Sequence, residues 1–469
     1  MCGRVVGPGH AVYTLGKHLV AARYDTSERP APLLYTQAGQ FHGAFKVSDI
    51  QHFTALMHDF GIQLLYSHRT NDSSRNMKPL ARRTDGLEQS SIRAITLMLR
   101  DMDGINLGQG ICDMPTPDPI KQGAHAAIDA DKSIYSYYGG IQPLREGILE
   151  KARSFNRIPA QSLDNVMVTV GSTGAFVATL FTLLNEGDEV IVFEPFYGYH
   201  VNLLRVMGAG IRTITMQGPD WNVDFKAVEN AITDRTRAII VNTPGNPNGK
   251  VWSRQELMTL LDLLKKHDLY AITDEIYEYM LYGGREHVSL ASLPGAMERT
   301  ITISGFSKTY NMTGWRLGYA VGPEHILDKM GLLADLIYIC APTPLQHGVA
   351  EAFSMPESYF TEMAQAYAEK RDVLCRTLEE IGFNVPWPQG SYYVLADFAP
   401  LQNRLSGFSD DEEAQLTLVQ KAGIGTVAGR SFFTHPEDGA TRLRFCFAKE
   451  MDVLEEACRR LRSAFGSTG

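Results

Sequence analysis

Lys308 lies in Ser304-Gly-Phe-Ser-Lys-Thr-Tyr-Asn-Met-Thr-Gly-Trp-Arg-Leu-Gly318, directly after the apolar run Thr300–Ile303. A lysine amine is a nucleophile toward carbonyls, and Arg316 in the same stretch is a fixed cation suited to a phosphate. Together they suit pyridoxal 5'-phosphate (PLP), whose aldehyde takes an amine and whose phosphate takes a guanidinium. The apolar run reads as a strand, so Lys308 sits just past a strand end, where open α/β sheets place their ligands.

The elements that must position this chemistry repeat one pattern, a short β-branched run followed by small or polar residues. Val166–Val170 leads into Gly171-Ser-Thr-Gly-Ala and then an apolar helix over Phe176–Leu184, an arrangement that aims backbone N–H groups and the positive helix end at an anion. Glu189–Phe193 ends in Glu194-Pro-Phe-Tyr, Ala238–Val241 in Asn242-Thr-Pro-Gly-Asn-Pro-Asn-Gly, and Leu269–Thr273 in Asp274-Glu-Ile-Tyr. Ser253-Arg-Gln-Glu is a capping-box start for a helix through His267. Helical periodicity is also present in Ser90–Leu99, Asp118–Asp129, Gln142–Phe155, Glu324–Tyr338, Glu357–Ile381 and Glu412–Ala422. Short strands are predicted within Ile105-Asn-Leu-Gly-Gln-Gly, where one leads into a glycine-rich turn, and at Tyr319–Val321 and Ser391–Asp397. Arg442 and Arg444 are two apart on a last alternating strand and so share one side. Glu275 and Glu278 read as solvated helix charges, and Arg442 as a surface charge or a support.

The stretch around Lys308 resembles the lysine signature of the class I/II aminotransferases, at Gly305, Ser307, Lys308, Gly314, Arg316 and Gly318. The resemblance recurs in separate motifs from about Asn106 to Phe447. Asn106-Leu-Gly-Gln-Gly, Pro388-Gln-Gly-Ser-Tyr-Tyr and Arg444-Phe-Cys-Phe are most similar to the kynurenine, glutamine and methionine type. The resemblance implies the PLP-dependent fold type I, an α/β fold with a mostly parallel central sheet flanked by helices and a smaller α+β domain. It implies a large PLP-binding domain over 118–345 and a small domain made of 83–117 plus 346–469. It also implies a PLP-dependent aminotransferase that works by a ping-pong mechanism through a Lys308 aldimine, moving an amino group from an amino acid to a 2-oxo acid.

Roles carry over position by position. Lys308 is the attachment point and proton carrier, Asp274 the partner of the pyridine nitrogen, and Tyr197 the aromatic ring on the cofactor face. Ser172, Thr173 and Arg316 hold the phosphate, and Asn246 and Tyr277 donate to the phenolate oxygen. A cis bond is expected at Asn246-Pro247. Gly110 and Arg444 match positions at the substrate carboxylate. Tyr135 matches a residue whose hydroxyl reaches the phosphate of the other subunit, which implies a homodimer. The sequence departs from the family at Cys112, where proline is usual, at Asn248, where threonine or serine is, and at Gly305, where many relatives have a phosphate-binding serine. The same residues would serve a PLP-dependent C–S β-lyase, and a PLP-binding regulator is the reading from another class.

Composition bounds these readings. Of 469 residues, 44% are hydrophobic and 21% charged, values of a globular chain with material for a large core. The excess of 53 acidic over 44 basic residues, a net charge of -9, argues against nucleic acid or an anionic membrane as the partner. Six cysteines without CxxC pairing indicate neither a zinc cluster nor a disulfide framework, and no metal site is predicted. No apolar run is long enough to span a bilayer, and the N-terminus has no secretory h-region, so a cytoplasmic protein is expected.

Residues 1–76 carry weak helix and strand signals and no helix-turn-helix pattern. The opening Met-Cys-Gly-Arg matches the start of proteins that capture abasic DNA through a second-position cysteine, but four residues without the remaining motifs carry no reading. Met77-Lys-Pro-Leu-Ala-Arg-Arg-Thr begins as family members begin, so 1–76 reads as a dispensable extension or a wrongly assigned start.

Overall fold

The computed structural model describes residues 78–85, 91–100 and 102–466, with the backbone of five strands between residues 3 and 40. The chain divides into two compact units, Met1–Pro79 and Leu80–Gly469. In the first, β1 (Gly3–Gly7), β2 (His10–Leu15), β3 (His18–Arg23), β4 (Leu33–Thr36) and β5 (Gly39–Gln40) pair antiparallel in sequence order. Strand signals in this segment are weak, and the meander corrects that reading. Each strand is short and pairs with its sequence neighbour, so hydrogen bonding to that neighbour, not a strong apolar alternation, defines it.

The second unit opens with a helix over Ser91–Arg100 and the short β6 (Ile105–Asn106). Its main sheet contains β7 (Val166–Val170), β8 (Glu189–Glu194), β9 (Gly210–Thr215), β10 (Thr236–Asn242), β11 (Tyr270–Asp274), β12 (Thr300–Gly305) and β13 (Leu317–Val321). The spatial order is β7-β13-β12-β11-β10-β8-β9. All pairings are parallel except those of β13, which runs antiparallel to both β12 and β7. Strands β8, β12 and β13 are buried along their whole length, which is why β8 and β13 read as mostly apolar runs, while β12 buries Thr300, Thr302 and Ser304 among its apolar residues. The sheet is therefore mostly parallel, with helices on both faces.

One face is covered by the helices Gly171–Leu183 and Glu324–Tyr338, whose Phe176, Leu180, Met330 and Ala334 pack on Val190, Ile272 and Ile301. The other is covered by Arg254–Lys266, where Leu257, Leu260, Leu261 and Leu264 repeat at helical spacing. The capping box is present: Ser253 Oγ accepts from Glu256 N, and the Glu256 carboxylate accepts from Ser253 N.

A second core gathers around an antiparallel sheet of β14 (Tyr393–Asp397), β17 (Arg442–Cys446) and β16 (Val427–Ala428), in that order. The helices Glu357–Ile381 and Met451–Phe465 pack Leu374, Leu378, Leu454 and Leu461 against Phe445 and Phe447. Strand β15 (Ile424–Gly425) pairs with β6, so the start of this unit is held by its C-terminal part.

One local element differs from expectation. The helix predicted from Phe176 begins at Gly171, directly off β7, with no intervening turn. Gly171 has φ +65°, so one residue reverses the chain where a side-chain-bearing residue would be strained. Ser172 and Thr173 are thus first-turn helix residues.

Candidate active site

The C-terminal ends of neighbouring parallel strands deliver the predicted residues to one place. Strand β12 ends at Gly305, and Lys308 follows in a tight turn. Its Nζ donates to Gly110 O at 3.1 Å and lies 5.6 Å from the Tyr392 ring centre. The Tyr392 hydroxyl donates to the same carbonyl at 3.0 Å. Burial pushes the Lys308 amine below the ordinary lysine range, because a charged ammonium loses hydration there. A lysine so placed holds a larger neutral, nucleophilic fraction.

Asp274 closes β11. Its Oδ2 lies 3.0 Å from His200 Nε2, and its Oδ1 accepts from Ile276 N at 3.3 Å. An ionised carboxylate only accepts, so His200 carries its proton on Nε2 toward Asp274. The His200 ring stacks on Phe176 at 4.5 Å and meets Tyr197 edge-on at 5.2 Å. His200 was not predicted. Its one signal is its place in the first turn of the helix Gly198–Met207, three residues after Tyr197. Tyr197 caps that helix, and burial pushes its hydroxyl above the usual tyrosine value.

Strand β10 ends at Asn242, whose Oδ1 accepts from Asn246 N at 2.7 Å and whose Nδ2 donates to Asp274 O at 3.0 Å. These two bonds fasten the 242–249 turn to the end of β11. The Asn246-Pro247 bond is cis, as expected, and so are Glu194-Pro195 and Thr243-Pro244. Asn246 Oδ1 accepts from Arg444 Nη1 at 2.8 Å, which leaves the amide NH2 as its donor.

Arg444 is 4% exposed on β17. Its Nη2 donates to Gly108 O at 2.6 Å, and its guanidinium faces the rings of Tyr393 at 4.3 Å and Phe432 at 5.1 Å. Its Nε is buried without a partner, and no carboxylate among the described residues pairs with it. A buried cation lacking a counter-ion is costly unless an anion arrives from outside. Arg442 shares its side but is only partly buried, its guanidinium 5.3 Å from the Trp221 ring centre.

An anion cradle forms at the start of the helix Gly171–Leu183. No side chain caps this helix, so its first N–H groups are free to bind. Arg316 is exposed and reaches the same spot: a Cβ on Gly171 would lie 2.6 Å from its Nη2. Free helix amides beside a guanidinium fit a phosphate.

Tyr277 is buried, with its hydroxyl 3.5 Å from that of Tyr393. Tyr135 is 76% exposed, and no hydrogen bond or ring contact among the described residues joins it to the other predicted positions.

Glu275 and Glu278 are not the solvated charges expected, nor do they lie in a helix. They are 0% and 2% exposed. Glu278 accepts from Lys151 Nζ and Asn156 Nδ2, both at 2.7 Å, and from Ser304 Oγ at 2.8 Å. Glu275 accepts from Thr273 Oγ1 at 2.8 Å, Ser289 Oγ at 3.0 Å and His287 Nε2 at 2.8 Å. Burial alone would raise the Glu278 carboxyl, but Lys151, His287 and Asn156 outweigh it and hold it below the usual range. Glu275, Glu278 and His287 place ligand atoms within 4.8 Å of one another. Their carboxylate oxygens are already occupied, and Lys151 supplies the positive charge.

The family profile described as aminotransferase class I and II matches residues 102–461. Human kynurenine–oxoglutarate transaminase 1 is 33% identical over 413 residues, covering 81% of this chain and 97% of the relative. Aromatic-amino-acid aminotransferase 2 of Thermococcus litoralis is 33% identical over 386 residues, with the same two coverages. The solved N-succinyldiaminopimelate aminotransferase of Mycobacterium tuberculosis superposes with a TM-score of 0.78 at 31% identity, covering 82% of this chain and all of that one. Fold type I is thereby shown, and the lyase alternative is not favoured. The chain belongs to the class I and II aminotransferases, a PLP-dependent family, and is an enzyme that transfers amino groups.

Proposed function

We propose that this chain binds PLP at Lys308 and moves the amino group of an amino acid to a 2-oxo acid. The observation that carries the reading is Arg444, a buried guanidinium without a carboxylate partner, held by Asn246 in the pocket that contains Lys308. It supplies a fork for the α-carboxylate that amino acids and 2-oxo acids share. When bound, PLP supplies an electrophilic carbonyl carbon and an electron sink for the substrate's Cα electrons.

The chain's own residues do the rest. Ser172, Thr173, the first helix amides and Arg316 hold the phosphate. The Tyr197 ring covers the pyridine face and excludes water. Asp274, oriented by His200, keeps the pyridine nitrogen protonated. Asn246 and Tyr277 donate to the phenolate oxygen. Lys308 Nζ would hold the cofactor through its carbonyl carbon and, when freed by the substrate amine, would carry the proton from the substrate's Cα to the cofactor's C4' carbon. Desolvation favours its basic form for that transfer.

The similarity to kynurenine and aromatic-amino-acid transaminases makes aromatic donors with 2-oxoglutarate the first pair to assay. Replacing Lys308 with alanine tests the core of the proposal. It is expected to remove the visible absorption of lysine-bound PLP and nearly all transamination; unchanged turnover would refute the assignment.

A homodimer in the cytoplasm is part of the same reading. Ile134 and Tyr135, 79% and 76% exposed, precede Tyr138, which packs over Gly331 on the helix that also exposes Leu336 at 82%. An apolar surface of this kind fits a second copy of the chain that would receive Tyr135. Free thiols at all described cysteines agree with a reducing compartment. Residues 118–345 are proposed as the PLP-binding domain, 83–117 with 346–469 as the small one, and 1–76 as dispensable. Sedimentation of the full chain and of a chain begun at Met77 is expected to show dimers that load PLP in both cases. A monomer, or a shortened chain that fails to load PLP, would refute the corresponding part.

A further inference from the structure

Tyr393 stands between two groups with separate tasks. On β14 it is opposite Cys446 of β17, while Arg444 is opposite Leu395, so Tyr393 and Arg444 are diagonal neighbours on one face. The register places the Arg444 guanidinium 4.3 Å from the Tyr393 ring centre, a closer approach than to Phe432. At its other end the Tyr393 hydroxyl lies 3.5 Å from that of Tyr277, with the two rings near perpendicular at 6.0 Å. The same hydroxyl presses on the segment that receives Lys308: a Cβ on Gly110 would lie 1.8 Å from it, so only glycine fits there. Tyr393 therefore touches the carboxylate fork, the predicted phenolate donor and the backbone that accepts from the lysine amine.

We propose that Tyr393 is a positioning residue that sets two properties through separate parts of its side chain, a deepening that rests on the PLP reading above. Its ring seats Arg444 for the substrate carboxylate by a cation–π contact within a desolvated pocket. In this structure its hydroxyl accepts from Tyr277; when Tyr277 turns its single proton to the cofactor's phenolate oxygen, the Tyr393 hydroxyl would rotate to donate to the Tyr277 oxygen in its place. Bonds in such a chain polarise one another and strengthen the last. A firmer bond at the phenolate oxygen favours its anionic form and lowers the pH at which the lysine-bound cofactor loses its proton. The ionisable groups facing Tyr277 and Tyr393 are Tyr197, Tyr392, Asp274, Arg444 and Cys446. None of them is altered in the variants below.

Two variants separate the ring from the hydroxyl. Tyr393→Phe keeps the ring: the pH midpoint of the visible absorption change of lysine-bound PLP is expected to rise by roughly half a unit. The KM for the amino donor should stay within about twofold in that variant. Tyr393→Leu loses both parts and is expected to add a roughly tenfold rise in KM to the same midpoint shift. A wild-type midpoint in both variants with normal PLP loading overturns the hydroxyl role, and equal KM values in both overturn the ring role. Because Tyr393→Phe removes a single oxygen, it decides the hydroxyl half even where the leucine variant fails to fold. A wild-type chain that takes up no PLP is a different failure, that of the reading underneath, and removes the inference with it.

Discussion

His200 Nε2 lies 3.0 Å from Asp274 Oδ2, and the imidazole is held in that pose by its stack on Phe176. The pair joins a helix on one face of the sheet to the end of β11, so the carboxylate is oriented from outside its own strand. A hydrogen bond to a charged group is worth about 1.5–3 kcal/mol. His200→Phe, which keeps an aromatic ring against Phe176, is therefore expected to lower kcat/KM by roughly 10- to 100-fold. Steady-state kinetics check this, and an unchanged kcat/KM would mean that Asp274 is oriented without the histidine.

Arg444 makes its bonds to Asn246 and Gly108 through separate nitrogens, a geometry that needs the planar fork. Arg444→Lys keeps the charge but cannot hold both acceptors and a carboxylate together. The KM for the amino donor is expected to rise about 100-fold while PLP content stays normal. Loss of PLP instead would show that Arg444 supports the cofactor site as a whole.

Glu189, at the start of β8, accepts from Arg212 at 2.9 and 3.1 Å, from Arg235 at 2.6 Å and from Thr233 at 2.7 Å. Those bonds hold its carboxyl down to about 2, against an ordinary 4.5. A carboxyl depressed in the folded state adds stability above its unfolded pKa, and that contribution is lost as the pH falls toward the folded value. Thermal unfolding measured between pH 4.5 and about 2 is expected to show a falling midpoint, less steep in Glu189→Gln. Equal slopes in the two proteins would remove Glu189 from the acid sensitivity.

What could be read from the chain alone was local. Lys308, Asp274 and Asn246 follow apolar runs that only a buried parallel sheet explains, and strand ends in such a sheet put whatever follows them into one crevice. The capping box at Ser253 and the alternation that puts Arg442 and Arg444 on one side depend on spacing within a few residues, and these too were legible. The start of the helix at Gly171 was not, because one left-handed glycine replaces the turn that its small neighbours suggest. Glu275 and Glu278 carry ordinary helix-surface letters. Their burial depends on Lys151, Asn156, His287 and Ser304, which the fold brings from separate segments. The pairing of His200 with Asp274 and the place of Tyr393 between Arg444 and Tyr277 arise in the same way. The sequence by itself determined which groups stand at the strand ends, since backbone periodicity and turn chemistry act over a few residues. Only the tertiary structure decided which distant groups orient them, because burial and hydrogen bonding depend on neighbours that sequence spacing does not encode.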